Sequence, residues 1–142
     1  MNLMTRFMAG LLLTLGLMGS AQASSFFKEH RIVFFFASTC PHCHEQAPVL
    51  KQWAAREGAL VEAYSFDDKP LPSFTDIRPA TKDLVDAAFQ GQDIRYPATF
   101  ILNPKTGELY PVAIGALREE ELAMRMQALV PKILEHEARS GL

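Results

Sequence analysis

The sequence predicts an α/β domain, a four-stranded mixed sheet flanked by helices, from three observations. Two apolar runs, Ile32-Val33-Phe34-Phe35-Phe36 and Leu60 to Phe66, bracket a segment of helical periodicity. That order is the signature of a right-handed parallel crossover. Ala98 to Asn103 and Glu108 to Ile114 flank Pro104-Lys105-Thr106-Gly107 and read as an antiparallel hairpin. An amphipathic stretch from Arg118 to about Glu137 follows as the last helix.

Taken in order, Met1 to Ala23 has the form of a secretory signal: Arg6 at the positive start, Phe7 to Met18 as the apolar stretch, and Ala21-Gln22-Ala23 before the cut. Cleavage is expected before Ser24. The apolar stretch is shorter than the ~20 residues of a spanning helix, and no cysteine near the cut offers a site for lipid, so a soluble exported protein is expected. The expected compartment is the bacterial periplasm, where disulfides persist. Ser24 to Leu142 is enough chain for one domain. The balance of 14 basic and 16 acidic residues, interspersed without a basic stripe, excludes a nucleic-acid footprint.

Ser24 to His30 is read as a lead-in too short for an element. Ile32 to Phe36, unbroken by polar residues, suits a central strand buried on both faces. A helix is expected from about Pro41 to Arg56, with Ala47, Leu50, Trp53 and Ala54 inward and Glu45, Gln46, Lys51, Gln52 and Arg56 outward. Pro41 is tolerated in a first turn, Pro48 should kink the helix, and Gly58 should end it. Asp67 to Pro79, with three prolines and no periodicity, reads as a long loop. Ala80 to Gly91 reads as a short helix with Leu84, Val85, Ala88 and Phe89 inward. In the last helix Leu122, Met126, Leu129 and Val130 face the core, and Pro131 should bend or divide it. His30 and His136 read as solvated surface residues, and Trp53 as packing.

Both cysteines lie in Ser38-Thr39-Cys40-Pro41-His42-Cys43-His44, where the first strand runs into its helix. Residues three apart on a helix share a face, so Cys40 and Cys43 can pair with little backbone movement. A ring this short removes little entropy from the unfolded chain, which argues for redox exchange over a structural staple. Cys40, at the helix N-terminus beside His42, has the surroundings that favour thiolate and is the expected nucleophile. Cys43, one turn further in, is the expected resolving thiol.

This order, with Cys40-Pro41-His42-Cys43 after the first strand, Pro48 five residues beyond the second cysteine, Tyr96-Pro97 before the third strand and Gly115-Ala116-Leu117 before the last helix, resembles the thioredoxin superfamily. The fold implied is a trimmed version, since too few residues precede Arg31 for the usual first strand and helix. The resemblance implies a cis Tyr96-Pro97 bond, with Tyr96 and Pro97 forming the substrate-facing wall beside Cys40. Pro41-His42 is the dipeptide of the DsbA branch, whose large helical insertion finds no room here. The Phe-rich strand into Ser38-Thr39-Cys40, Ala47-Pro48-Val49-Leu50-Lys51-Gln52, Pro79-Ala80-Thr81 and Pro97-Ala98-Thr99-Phe100 resemble the TrbB-type thiol-disulfide isomerases of F-type conjugative transfer systems. That implies an isomerase acting on cysteine-containing exported proteins of the transfer apparatus, supported by a redox partner that reduces or reoxidises the pair. With no residues left for a dimerisation domain, a monomer is expected. One departure stands out: the superfamily's buried acid six residues before the first cysteine is replaced by Phe34.

Three rival readings fit less well. Cys40-Pro41-His42-Cys43-His44 also satisfies the C-x-x-C-H pattern of haem attachment, with Met124 or Met126 as axial candidates, but haem explains neither the apolar strand nor Pro48 and Pro97. Zinc has only Cys40, Cys43, His42 and His44, clustered at no recognised four-ligand spacing. A redox-inert binding module has no use for two intact cysteines. No cofactor and no metal are expected.

Overall fold

The computed structural model describes residues 25–141. The signal segment and its cleavage point lie outside them. The elements are β1 (Arg31–Phe36), α1 (Pro41–Glu57), β2 (Leu60–Ser65), β3 (Ile77–Pro79), α2 (Lys82–Phe89), β4 (Ala98–Leu102), β5 (Leu109–Ile114) and α3 (Glu119–Ser140). They form an α/β fold around one mixed sheet in the order β3-β2-β1-β4-β5. β1, β2 and β3 run parallel, while β4 is antiparallel to both β1 and β5.

β1 lies at the centre, as its unbroken apolar run requires. Ile32, Phe34 and Phe36 pack on one face with Ala47, Leu50 and Trp53 of α1 and Leu122, Met126 and Ile133 of α3. Val33 and Phe35, of the alternate parity, pack on the other with Val85 and Phe89 of α2 and Phe100 of β4. Gly58, in the left-handed region, caps α1 where expected.

Five readings of the sequence need correction. The sheet has five strands, because Ile77–Pro79 within the expected loop pairs with β2 from Ala63↔Ile77 to Ser65↔Pro79. Its proline sits on an outer strand, where the missing N–H costs least. Residues 25–29 are helical, and Phe26 and Phe27 are buried, the latter set edge-on to Trp53 at 5.2 Å. Pro131 does not divide α3, because residues on both sides of it, Met126, Val130 and Ile133, are held in the core. Gln46 faces inward and is 2% exposed.

His30, also read as a surface residue, is 4% exposed. Its Nε2 lies 2.9 Å from Glu137 Oε1, and its Nδ1 lies 3.0 Å from the Phe26 carbonyl. Asn103 Nδ2 and Tyr110 OH donate to the same Glu137 oxygen at 2.9 and 3.0 Å. Desolvation pushes the Glu137 carboxyl up, but the bonds from His30, Asn103 and Tyr110 outweigh it and hold the group below its ordinary value. This cluster fastens α3 to the sheet at the start of β1, the end away from the cysteines. Glu137→Ala strips His30 and Asn103 of a buried partner, so it is expected to cost about 3 kcal/mol in chemical denaturation. The exposed Glu135→Ala should stay within about 0.5 kcal/mol of the parent.

Candidate active site

The parallel and antiparallel pairings bring the ends of β1, β2 and β5 and the start of β4 to one end of the sheet. Each leads into a segment of the site. From β1 come Ser38 to Cys40, from β2 Phe66 and Asp67, from β5 Gly115 to Leu117, and into β4 run Tyr96 and Pro97.

Cys40 is the N-cap of α1 and is bonded to Cys43, with a Cα–Cα distance of 5.2 Å inside the ordinary disulfide range. The Cys43 N–H donates to Cys40 Sγ at 3.2 Å. Cys40 is partly exposed and Cys43 is 0% exposed, so an incoming sulfur can reach only the first. No acidic residue occupies the first turn of α1 to oppose a negative charge on Cys40. Helix start, backbone donor and exposure together favour Cys40 as a thiolate once the bond is opened.

The Tyr96-Pro97 bond is cis, and the Tyr96 carbonyl oxygen lies 3.9 Å from Cys40 Sγ. Tyr96 is 44% exposed, and its ring meets Phe66 at 5.4 Å. The Gly115 N–H donates to the Pro97 carbonyl at 2.7 Å. Pro41 occupies the first turn, where the helix needs no N–H from it. His42 lies at the surface with its Nδ1 3.1 Å from Glu45 Oε2, so that nitrogen is turned to solvent and Glu45, not to the disulfide. The structure therefore brings Cys40, Cys43, Tyr96 and Pro97 together and leaves His42 at the rim.

Four polar residues support this group, a role that sequence reasoning gave to none of them. Gln46 Oε1 accepts from the Leu117 N–H, tying the disulfide-bearing helix to the segment that also holds Pro97. Its spacing from Cys43, Ala47 and Leu50 places it on the inward stripe, a signal present in the sequence. Ser38, His44 and Asp67 make a second tie. Asp67 accepts from the Ser38 N–H at 3.1 and 3.0 Å, from the Ser38 hydroxyl at 2.6 Å and from the Ser65 hydroxyl at 2.8 Å. The Ser38 hydroxyl, then Ser65 and the Ser38 and Lys69 backbone, hold the Asp67 carboxyl down to about 2 against the pull of desolvation. Phe34, at the position of the expected acid, stacks with Phe36 and meets Phe74 at 5.6 Å. Cys43 thus faces an apolar interior. Among the described residues no group of three or more His, Cys, Asp or Glu is placed to hold a metal ion.

A small mixed sheet with a Cys-x-x-Cys pair at the start of its first long helix and a cis-proline opposite defines a thioredoxin-like protein. Its sequence narrows that class: the chain belongs to the TraF family, described as F plasmid transfer operon protein, over residues 21–127. It is 34% identical over 86 residues to Protein TrbB of Escherichia coli (strain K12), covering 61% of this chain and 48% of that protein. The chain therefore spans about half the length of that relative. A thiol:disulfide interchange protein of the thioredoxin family from Chlorobium tepidum TLS superposes with a TM-score of 0.54 at 20% identity, covering 76% of this chain and 84% of its own. A thioredoxin-related protein from Neisseria meningitidis serogroup B gives 0.51 at 18% identity, covering 73% and 86%. At these identities the two structures establish the fold.

The Asp67 carboxyl, lowered from an unfolded value of ~3.9, contributes stability that is present above about pH 4 and is lost as pH falls toward 2. Acid titration of the unfolding midpoint should therefore fall less steeply below pH 4 in Asp67→Asn than in the parent protein.

Proposed function

We propose that the protein is a periplasmic thiol-disulfide oxidoreductase, a disulfide isomerase for cysteine-bearing exported proteins of a conjugative transfer apparatus. The observation that carries this reading is the asymmetry of the pair: Cys40 is reachable and bonded by the Cys43 N–H at 3.2 Å, while the Cys43 sulfur is sealed. Membership of the TraF family supports the link to transfer. In this reading the chain is exported by the segment Met1 to Ala23, is cut near Ala23, and works as a monomer from Ser24 onward. No helix among the described residues is long and apolar enough to cross a membrane.

In the reduced enzyme the Cys40 thiolate attacks one sulfur of a client disulfide. A Cys40–client bond forms, and the second client sulfur leaves as a thiolate. If that thiolate attacks another client disulfide and the resulting thiolate releases Cys40, the client is rearranged with no net electron transfer. If rearrangement stalls, Cys43 gives up its proton and attacks Cys40 Sγ. The client then leaves as a dithiol carrying two electrons, the enzyme is left oxidised, and a thiol-bearing redox partner must reduce it. Tyr96 and Pro97 form the wall that receives the client backbone, Pro41 shapes the first turn, and His42 adds a donor at the rim.

The Cys43 N–H also favours a second reading. Stabilising the Cys40 thiolate makes the disulfide more oxidising, which suits a DsbA-like dithiol oxidase.

Cys40→Ser should abolish insulin reduction, whereas Cys43→Ser should accumulate client-linked enzyme on a non-reducing gel. A redox-inert binding module would show neither effect. In glutathione at fixed poise, a scrambled multi-disulfide protein should regain activity with the enzyme. Oxidation of the fully reduced protein without rescue of the scrambled form would replace the isomerase reading with the oxidase one.

A further inference from the structure

Ser38 is gripped from two sides. Asp67, on the connection after β2, takes its N–H and its hydroxyl. His44, in the first turns of α1, places Nε2 2.6 Å from its carbonyl and so donates to it. Every polar atom of Ser38 is thereby engaged. Ser38 lies inside the turn closed by the Cys40 N–H donating to the Ala37 carbonyl at 3.2 Å, so its position sets where Cys40 leaves the sheet. Asp67 is itself anchored. Ser65 donates to it, Asp68 turns the chain through a φ of 57°, and the Lys69 N–H returns to the Ser65 hydroxyl at 3.2 Å.

We propose that Asp67 is a positioning residue for Cys40: by clamping Ser38 it holds the turn that keeps Cys40 Sγ on the Cys43 N–H. The proposal rests on the redox reading of the cysteine pair and adds to it a distant residue that tunes thiolate formation. Two other roles for Asp67 are set aside on physical grounds. A carboxylate held at about 2 by several donors is a poor base near neutrality, so it does not serve as the proton acceptor that Phe34 fails to be. A role through charge alone has the opposite sign, because an anion near Cys40 raises the thiol's titration and its removal lowers it. The titratable groups placed beside the turn are His42 with its partner Glu45 and His44 on the Ser38 carbonyl, while Tyr96 meets Cys40 Sγ through its backbone carbonyl.

The test is the pH dependence of Cys40 alkylation by iodoacetamide in the reduced full-length protein, read by mass, with a denaturation midpoint measured on each variant. Asp67→Asn exchanges one acceptor oxygen for an amide donor and removes the charge that strengthens the bonds from Ser38, and Ser38→Ala removes the hydroxyl while keeping the carboxylate. Each is expected to raise the Cys40 midpoint by about half a pH unit, about three-fold less thiolate on the acid side. The double variant should shift no further than the larger single, since both changes break one tie. Ser38→Thr, which keeps the hydroxyl, should return the midpoint toward the parent value. An unchanged Cys40 midpoint beside a lowered denaturation midpoint overturns the proposal, leaving Asp67 a structural tie. A lowered Cys40 midpoint in Asp67→Asn, or additive shifts in the double variant, overturns it as well. If Asp67→Asn does not fold, the Ser38→Ala and Ser38→Thr pair decides the matter alone. Alkylation needs no client, so failure here leaves the isomerase assay standing, and failure of that assay leaves the clamp standing.

Discussion

A run of five apolar side chains, Ile32 to Phe36, has to be buried on both faces at once, and the rest of the structure answers that demand. α1 and α3 cover one parity of the strand and α2 the other, while β2 and β4 pair its two edges. Each large side chain so buried contributes about 1.5–3 kcal/mol, which ties β1 firmly to the layers on both of its faces. The reactive turn begins two residues past its end. A sulfur that must meet its partner within ångströms is therefore launched from a rigid support.

What holds the turn is polar and comes from elsewhere. Ser38 and Asp67 stand 29 residues apart, and Gln46 and Leu117 stand 71 apart. These ties join the segments that follow β1, β2 and β5 across one end of the sheet, and none involves a titrating thiol. The apolar interior around Phe34 and Phe74 performs a separate task. It keeps water from Cys43, whereas the polar belt sets the geometry of Cys40.

This division also decides what was legible in the sequence. The crossover, the hairpin, the helix starting at Pro41 and the cysteine pair follow from patterns that close within a few residues, and the structure has them within a residue or two at most ends. The fifth strand was not legible, because three prolines mask a three-residue edge pairing whose partner is β2. His30 was misread for the same reason: its partner Glu137 is 107 residues away, and nothing beside a lone histidine announces a buried carboxylate. Gln46 was recoverable, since its helical phase matches Cys43 and Leu50. Asp67 was not, as it stands in a stretch with no periodicity and makes its ties through space.

The edges of the sheet carry a consequence for contact with other chains. β3 pairs over three residues and ends at Pro79, and β5 on the opposite side carries Pro111 at an exposed position with a register shift alongside. Neither border offers a continuous ladder of free N–H and carbonyl groups. An extended chain lying along either border finds only a short or interrupted run of backbone groups with which to pair.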